Sequence, residues 1–237
     1  MCDKVDETTA IFREQWAMYR KVVDSDQMSH RLFYHALRGL LAERSGGFSL
    51  LELGCGDAGC SSEVLAGLAV SEYTGVDLAG GALELAGVNL KAVGIAGKLV
   101  EADFREFVAT TTERWDVVFI GFSYHHLIGE EKVEFARQVH GVLKPGGELV
   151  FVEPLLADRE TRGDYLLRWR KHFERDWTGF TEAERVSIWN HVSGYDYPES
   201  LDRYLAIGEV AGYDERNCQV IDPKNFYGMI RLGLAGG

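Results

Sequence analysis

The sequence is poor in the features that mark several large protein classes. Its 237 residues include only four cysteines, Cys2, Cys55, Cys60 and Cys218. None makes a CxxC pair, and no His/Cys cluster has the spacing of a zinc site. Free thiols in a reducing, cytoplasmic compartment are the expectation. No apolar run approaches the roughly 18 residues that span a bilayer, and the opening MCDKVDETT is charged where a secretory signal would be apolar. No membrane association is expected. Positive charge is scarce too: 25 Lys and Arg stand against 37 Asp and Glu, a formal charge of −12. The basic residues form no dense run, so an extended nucleic-acid surface is not expected. Small or cationic partners suit such a chain better. Internal repeats and low-complexity segments are lacking as well.

What is there describes a large α/β domain. The chain is 46% hydrophobic and 26% charged, enough for a full core in one domain or one domain with an added lid. Within 8–44, Leu32, Ala36, Leu37, Leu40 and Leu41 recur at helical spacing, with Gly46-Gly47 as the stop. Beyond it, short apolar runs at 49–53, 73–76, 98–102, 115–121 and 148–152 read as strands, with helices near 60–69, 80–93 and 130–143. Runs such as Asp116-Val117-Val118-Phe119-Ile120 are continuously apolar, as in a parallel sheet covered on both faces. The alternation is the doubly wound α/β pattern. Lys144-Pro145-Gly146-Gly147 reads as the turn between a helix and the next strand.

Past Glu153-Pro154 the alternation stops. Residues 154–198 are polar, arginine-rich and aromatic and read as two helices inserted into the sheet domain. Thr181-x-x-Glu184 is a capping box for the second. A helix over 199–211, ended by Gly212, and strands near 216–221 and 226–232 complete the chain. The expected units are a helical segment over 1–47, a core over 48–153, a helical lid over 154–198, and a closing helix and two strands over 199–237.

The stretch LELGCGDAG carries the most chemistry. Gly54-x-Gly56-x-x-Gly59 matches the glycine fingerprint of a dinucleotide turn, and Asp77 falls about 20 residues downstream, where that fingerprint expects a ribose ligand. Backbone N–H groups at the start of the following helix would face a ligand. The charges argue against NAD. Asp57 sits at the mouth of the turn and Glu52 just before it, and a bare carboxylate there opposes a pyrophosphate while tolerating a cation. S-adenosylmethionine, with adenosine at one end and an ammonium and a sulfonium at the other, fits that requirement.

With these motifs in order, the chain resembles the class I S-adenosylmethionine-dependent methyltransferases. Glu52-Leu53-Gly54-Cys55-Gly56 is similar to the family's first motif and Val76-Asp77 to its second, whose acid bonds the ribose hydroxyls. Glu101-Ala102-Asp103-Phe104 is similar to the third, whose acid accepts from the adenine amine. Residues 115–127 match the fourth, and LKPGGELVFVEP over 143–154 the strand-five motif. The resemblance implies a Rossmann-like, seven-stranded, mostly parallel sheet with its last strand antiparallel. It also implies a cofactor set of Glu52, Gly54, Cys55, Gly56, Asp77, Leu78, Asp103, Phe104, Gly121, Phe122 and, from the N-terminal helices, Tyr19. S-adenosylhomocysteine would be the product. Taken singly, Asp77 could cap a turn and Asp103 could start a helix near Arg105; their placement after successive strands favours the ligand roles. Small buried thiols account for Cys55 and Cys60.

Methyl transfer is an in-line displacement, so the protein must align nucleophile and methyl carbon and exclude water. His125 and His126 leave the fourth strand at the cofactor edge and are candidate bases, as is His172. Adjacent side chains on a turn or helix diverge by about 100°, so His125 and His126 are not both expected to face the substrate. Tyr124, Tyr165, Trp169 and His30 are candidate substrate contacts. Tyr165, Trp169, Phe173 and Trp177 recur every fourth residue, and this stripe either packs the helix down or walls in a flat acceptor. Asp176 and His191 offer further polar groups. No Asn/Asp-Pro-Pro-aromatic signature and no Asp-Asp-Asn cluster is present, which leaves metal-free transfer to an O or N atom of a small biosynthetic molecule. Methylation of protein or RNA, cofactor binding without catalysis and NAD-dependent oxidoreduction are the alternatives. A homodimer is one option for the assembly.

Overall fold

Strand β1 (Phe48–Leu53) is buried at every position, as a strand covered on both faces must be. The computed structural model, which describes residues 16–44, 46–215 and 220–234, sets it in a largely parallel sheet. β2 (Val70–Asp77), β3 (Gly97–Glu101), β4 (Trp115–Gly121) and β5 (Leu143–Leu156) run parallel to β1 and to one another. β9 (Tyr227–Leu234) pairs antiparallel with β5, and β7 (Tyr213–Glu215) antiparallel with β9. The order is β3-β2-β1-β4-β5-β9-β7. This is the expected seven-strand path with its last strand reversed. Two-residue strands are added at its margins: β6 (Glu199–Ser200) on β5, and β8 (Val220–Ile221) on β9.

Differences from expectation have local causes. The helical stretch read over 8–44 divides into two helices, α1 (Trp16–Asp24) and α2 (His30–Ala42), where Asp26 and Ser29 take left-handed backbone angles; 8–15 lie outside the described residues. Lys144–Gly147 does not precede β5 but bulges within it. Leu143 pairs with Trp115 and Glu148 with Val117, and the intervening residues loop out around Gly146 at φ +73°. Of the late strand expected at 216–221, residues 216–219 lie outside the described residues, Val220–Ile221 form the short strand β8, and a further strand, β7, precedes at Tyr213–Glu215. An extra helix, α5 (Phe104–Thr110), follows β3.

Helices α3 (Gly59–Leu65), α4 (Gly80–Ala92), α6 (Glu130–Gly141) and α9 (Leu201–Val210) flank the sheet. α7 (Arg162–Asp176) and α8 (Glu182–Tyr195) follow β5. Both of these open on capping boxes, the expected Thr181/Glu184 pair and a second one, Thr161/Asp164. The core divides along the pleat of the sheet. Val117 and Phe119 of β4 join one cluster with Phe33 and Leu37 of α2 and the aromatic stripe of α7. Val118 and Ile120 join the other with Val108, Phe135 and Tyr204. Among the described residues, no helix is long and apolar enough to cross a membrane.

The strand order reverses between β1 and β4. A crevice therefore opens at their carboxyl ends, where the glycine loop and the 122–126 segment emerge.

Candidate active site

The glycine loop is shaped by three left-handed residues, Gly54 (φ +68°), Gly56 (φ +53°) and Ala58 (φ +48°). A Cβ on Gly54 would fall 2.5 Å from Ser123 Oγ, so only glycine brings the loop this close to β4. Gly54 and Cys55 donate N–H bonds to the Val76 carbonyl, which ties the loop to the end of β2. Asp77 closes the arrangement. Its Oδ2 accepts from Gly56 N at 2.8 Å and its Oδ1 from Ala79 N at 2.9 Å. Burial raises the pKa of this carboxyl and the backbone donors oppose the rise.

Two loop acids differ from expectation. Glu52 lies beneath the loop, 2% exposed, accepting from Ser61 Oγ at 2.5 Å and Tyr73 OH at 2.6 Å. Burial pushes it up to about 7. It bonds to α3 and β2 and does not line the cavity above. Asp57 is not bare: Arg20 of α1 donates to its Oδ2, and Gly59 N donates to its Oδ1 at 2.9 Å. Cys55 and Cys60 are free thiols pushed up by burial, Cys60 to about 12, and so inert at neutral pH.

Above the loop is a cavity. Gly54, Cys55, Gly56, Asp77, Gly121, Phe122, Tyr19 and His30 line it, joined by Arg20 and Tyr34. Leu78, Asp103 and Phe104 are not among its walls. Asp103 caps α5 through Arg105 N at 2.8 Å, and the Arg105 side chain clasps both its oxygens. Burial opposes the Asp103 charge, but these bonds outweigh it and lower its pKa. Phe104 packs edge-on against Phe135.

A second cavity adjoins the first, and Tyr19 and Phe122 line both. Phe122 holds φ +56°, a strained angle for a bulky residue. That angle turns its ring onto His30 and Tyr227, with centroids 4.6 and 5.8 Å away. Apolar side chains from α1, α7 and α8 form most of the wall, including Val22, Trp169, Trp177, Ile188 and Val192. The aromatic stripe therefore packs the helix down and also lines the cavity. Tyr165, Trp169 and Trp177 line the cavity while Phe173 packs behind them, and Trp169 Nε1 donates to Tyr227 OH at 3.2 Å.

The polar groups of this cavity gather at one edge, where His125, His126, His191 and Asp196 meet. His125 and His126 both line it, against the expectation that one would turn away. They sit on a single 3₁₀ turn, Tyr124–His126, with ring centroids 4.2 Å apart. Behind them lies Glu153, fully buried at the end of the long strand β5. Its Oε1 accepts from Ser123 N and Tyr124 N, and its Oε2 from His125 N at 2.9 Å and His125 Nδ1 at 2.5 Å. Burial disfavours charge on His125, yet Glu153 and Asp196 outweigh it and raise its pKa to about 10. Burial lowers His126 and His191.

Two sequence candidates lie elsewhere. His172 lines neither cavity, because it projects from α7 onto Phe226, with its Nδ1 2.6 Å from Asp176 Oδ2 and Lys224 near by. Tyr124 turns to the opposite face of the sheet, donating its OH to the Lys132 carbonyl at 2.6 Å among Phe135, Phe151 and Tyr204. Sequence reading missed Arg20, Glu153 and Asp196. Glu153 had a signal, since it ends the strand-five motif at the carboxyl edge of the sheet. Arg20 and Asp196 had none, because only packing brings them to the site.

Comparison with known proteins agrees with this geometry. Residues 51–151 match the family described as Methyltransferase domain. An uncharacterized methyltransferase of Bacillus licheniformis is 27% identical over 150 residues, 62% of this chain and 68% of the relative. Magnesium protoporphyrin IX methyltransferase of Synechocystis PCC 6803, solved with S-adenosylhomocysteine, superposes with a TM-score of 0.70 at 12% identity, covering 97% of this chain and 99% of that one. The plantazolicin methyltransferase BamL, solved with a triazolic substrate analog and S-adenosylhomocysteine, gives 0.63 at 10% identity, covering 96% of each. At such identities the two structures share the fold.

Proposed function

Because the chain belongs to the class I S-adenosylmethionine-dependent methyltransferases, we propose that the two adjoining cavities hold the methyl donor and a small-molecule acceptor. The observation that carries this reading is the shared wall: Tyr19 and Phe122 alone among the described residues line both cavities. The cavity over the glycine loop takes the cofactor. Asp77, aimed by Gly56 N and Ala79 N, accepts from the ribose hydroxyls. Gly54, Cys55, Gly56, Gly121 and Phe122 supply the floor and the approach to the sulfonium. Tyr19, Arg20 and His30 face the methionine end.

The aromatic cavity takes the acceptor. Its walls suit an apolar, flat body, and its one polar edge suits a single hydroxyl or amine. With that group against His125, His126 and Asp196, the acceptor lone pair forms a bond to the methyl carbon as the carbon–sulfur bond breaks. The sulfonium becomes the neutral thioether of S-adenosylhomocysteine, and the acceptor proton leaves toward the polar edge. Residues 154–198 act as the cover of this cavity. Structural relatives named for magnesium protoporphyrin IX and for plantazolicin support a small acceptor, as does the acidic balance of the chain.

The test is a screen of small aromatic hydroxyl and amine compounds with radiolabelled donor. The expected result is label transferred to an extractable product, with stoichiometric S-adenosylhomocysteine. Label found only in protein or RNA substrates would defeat the proposal.

A further inference from the structure

Asp196 Oδ1 stands at the centre of three imidazoles without a hydrogen bond from any of them. It lies 3.5 Å from His125 Nε2, 3.6 Å from His191 Nε2 and 3.8 Å from His126 Nδ1. The residue is 6% exposed, and a buried carboxylate oxygen left without a bond is costly. The spacing is too long for N–H···O bonds, which close to about 2.9 Å. It is close to another geometry. A tetrahedral ion with bonds of about 2.0–2.1 Å keeps its ligand atoms about 3.3–3.4 Å apart. Ligand atoms of His125, His126 and Asp196 all lie within 4.8 Å of one another.

A second feature is independent of that spacing. His125 Nδ1 is committed to Glu153 Oε2 at 2.5 Å, and Glu153 is itself locked by the backbone N–H groups of Ser123, Tyr124 and His125. A carboxylate that fixes one ring nitrogen and leaves the other aimed at a shared point is the outer-sphere arrangement of metal-ligating histidines. His126 reaches the same point, and its present contact with the Tyr195 carbonyl at 3.2 Å gives way on ligation.

We propose that His125, His126 and Asp196, with His191 at the rim, bind a divalent transition-metal ion of the kind that prefers imidazole, with zinc as the type. Two buried carboxylates, Asp196 as ligand and Glu153 behind it, balance the charge of such an ion. Its consequence for catalysis rests on the function proposed above. At the acceptor edge, the open position of the ion would hold the acceptor oxygen or nitrogen and ease loss of its proton. Metal-free transfer was the expectation from the missing Asp-Asp-Asn cluster and from the lack of His/Cys residues at zinc-ligand spacing, whereas His125, His126 and Asp196 come together only in the fold.

The experiment titrates the full chain, stripped of metal by a chelator, with Co(II). The expected result is the visible ligand-field spectrum of a tetrahedral site, saturating at one ion per chain and displaced by Zn(II). Asp196→Asn and His126→Ala should weaken binding about 100-fold, and Glu153→Gln about 10-fold or more. His35→Ala, on an exposed position of α2, should leave it unchanged. Circular dichroism establishes that each variant is folded, and His191→Ala at the rim, expected to weaken binding severalfold, serves if Asp196→Asn is not. No Co(II) spectrum from the wild-type chain, or one unchanged in the folded variants, overturns the site. Methyl transfer that survives chelation in a chain without the spectrum removes the metal site alone. A spectrum in a chain that methylates no small molecule keeps the metal site and removes the function proposed above.

Discussion

Arg20 of α1 donates to Asp57 of the glycine loop, so the helix that walls the cavity over that loop also neutralises the acid at its mouth. The carboxylate that argued against a diphosphate on charge alone is paired. What distinguishes the site is the pair of backbone donors aiming Asp77 and the aromatic cavity next door. Arg20 has a half-exposed side chain, 47%, and also bonds Asp24, so its ion pair contributes little to stability.

Arg20→Ala is therefore expected to weaken S-adenosylhomocysteine binding about 3- to 10-fold while moving Tm by less than about 3 °C. Calorimetry and a thermal melt on one preparation check this. A large Tm loss with unchanged affinity would make the arginine a structural strut only.

Asp77→Ala should cost about 100-fold or more in S-adenosylhomocysteine affinity, since two charge-assisted hydrogen bonds to the ribose are lost. NADH should give no heat with either protein. Tight NADH binding by the wild-type chain would refute the cofactor assignment.

Filling the acceptor cavity should separate the two ligands. Val192 on α8 lines only the aromatic cavity, so Val192→Phe should raise acceptor KM about 10-fold and leave cofactor Kd within about twofold. Trp169→Ala is a poorer probe: this residue is 2% exposed within the core, and its loss should cost about 3–5 kcal/mol of stability. Equal losses for both ligands in a stable Val192→Phe protein would mean that the cavity does not receive the acceptor.

Glu52 predicts a pH dependence of stability. Burial raises its folded pKa from 4.5 to about 7, so the fold prefers the protonated carboxyl. The contribution is fully present below about pH 4.5 and is lost as pH rises through about 7, by about 3 kcal/mol at most. Glu52→Gln should flatten the fall in Tm across that window, as measured by melts at closely spaced pH values. An identical slope in the variant would show that Glu52 is ionised in the fold throughout.

Legibility in the sequence followed the range of the interactions. β1 and β4 were readable because a buried parallel strand is a continuous apolar run. The Gly54–Gly56 turn was readable because its demand for left-handed angles is met within three residues. α5 was legible only as the alternative role of Asp103 as a helix start, because it is seven residues long with a single buried position, Val108. The break between α1 and α2 was missed because Asp26 and Ser29 carry no signal as strong as glycine or proline. Tyr124 was misassigned for a different reason: neighbours on one turn face opposite sides of the sheet, and only packing against Phe135 and Tyr204 shows which side each takes.

The sequence by itself determined the sheet, its switch point and the glycine turn at its carboxyl edge, because apolar periodicity and backbone turns are written over a few adjacent residues. Tertiary structure alone decided the chemistry of the second cavity. Asp196 comes close to His125 and His126 only because the end of α8 bonds to their turn through Tyr195 and Tyr197, and Arg20 meets Asp57 only because α1 folds over the glycine loop. The electrostatic partner of a side chain is set by what packs beside it, and for these residues that neighbour comes from a distant part of the chain.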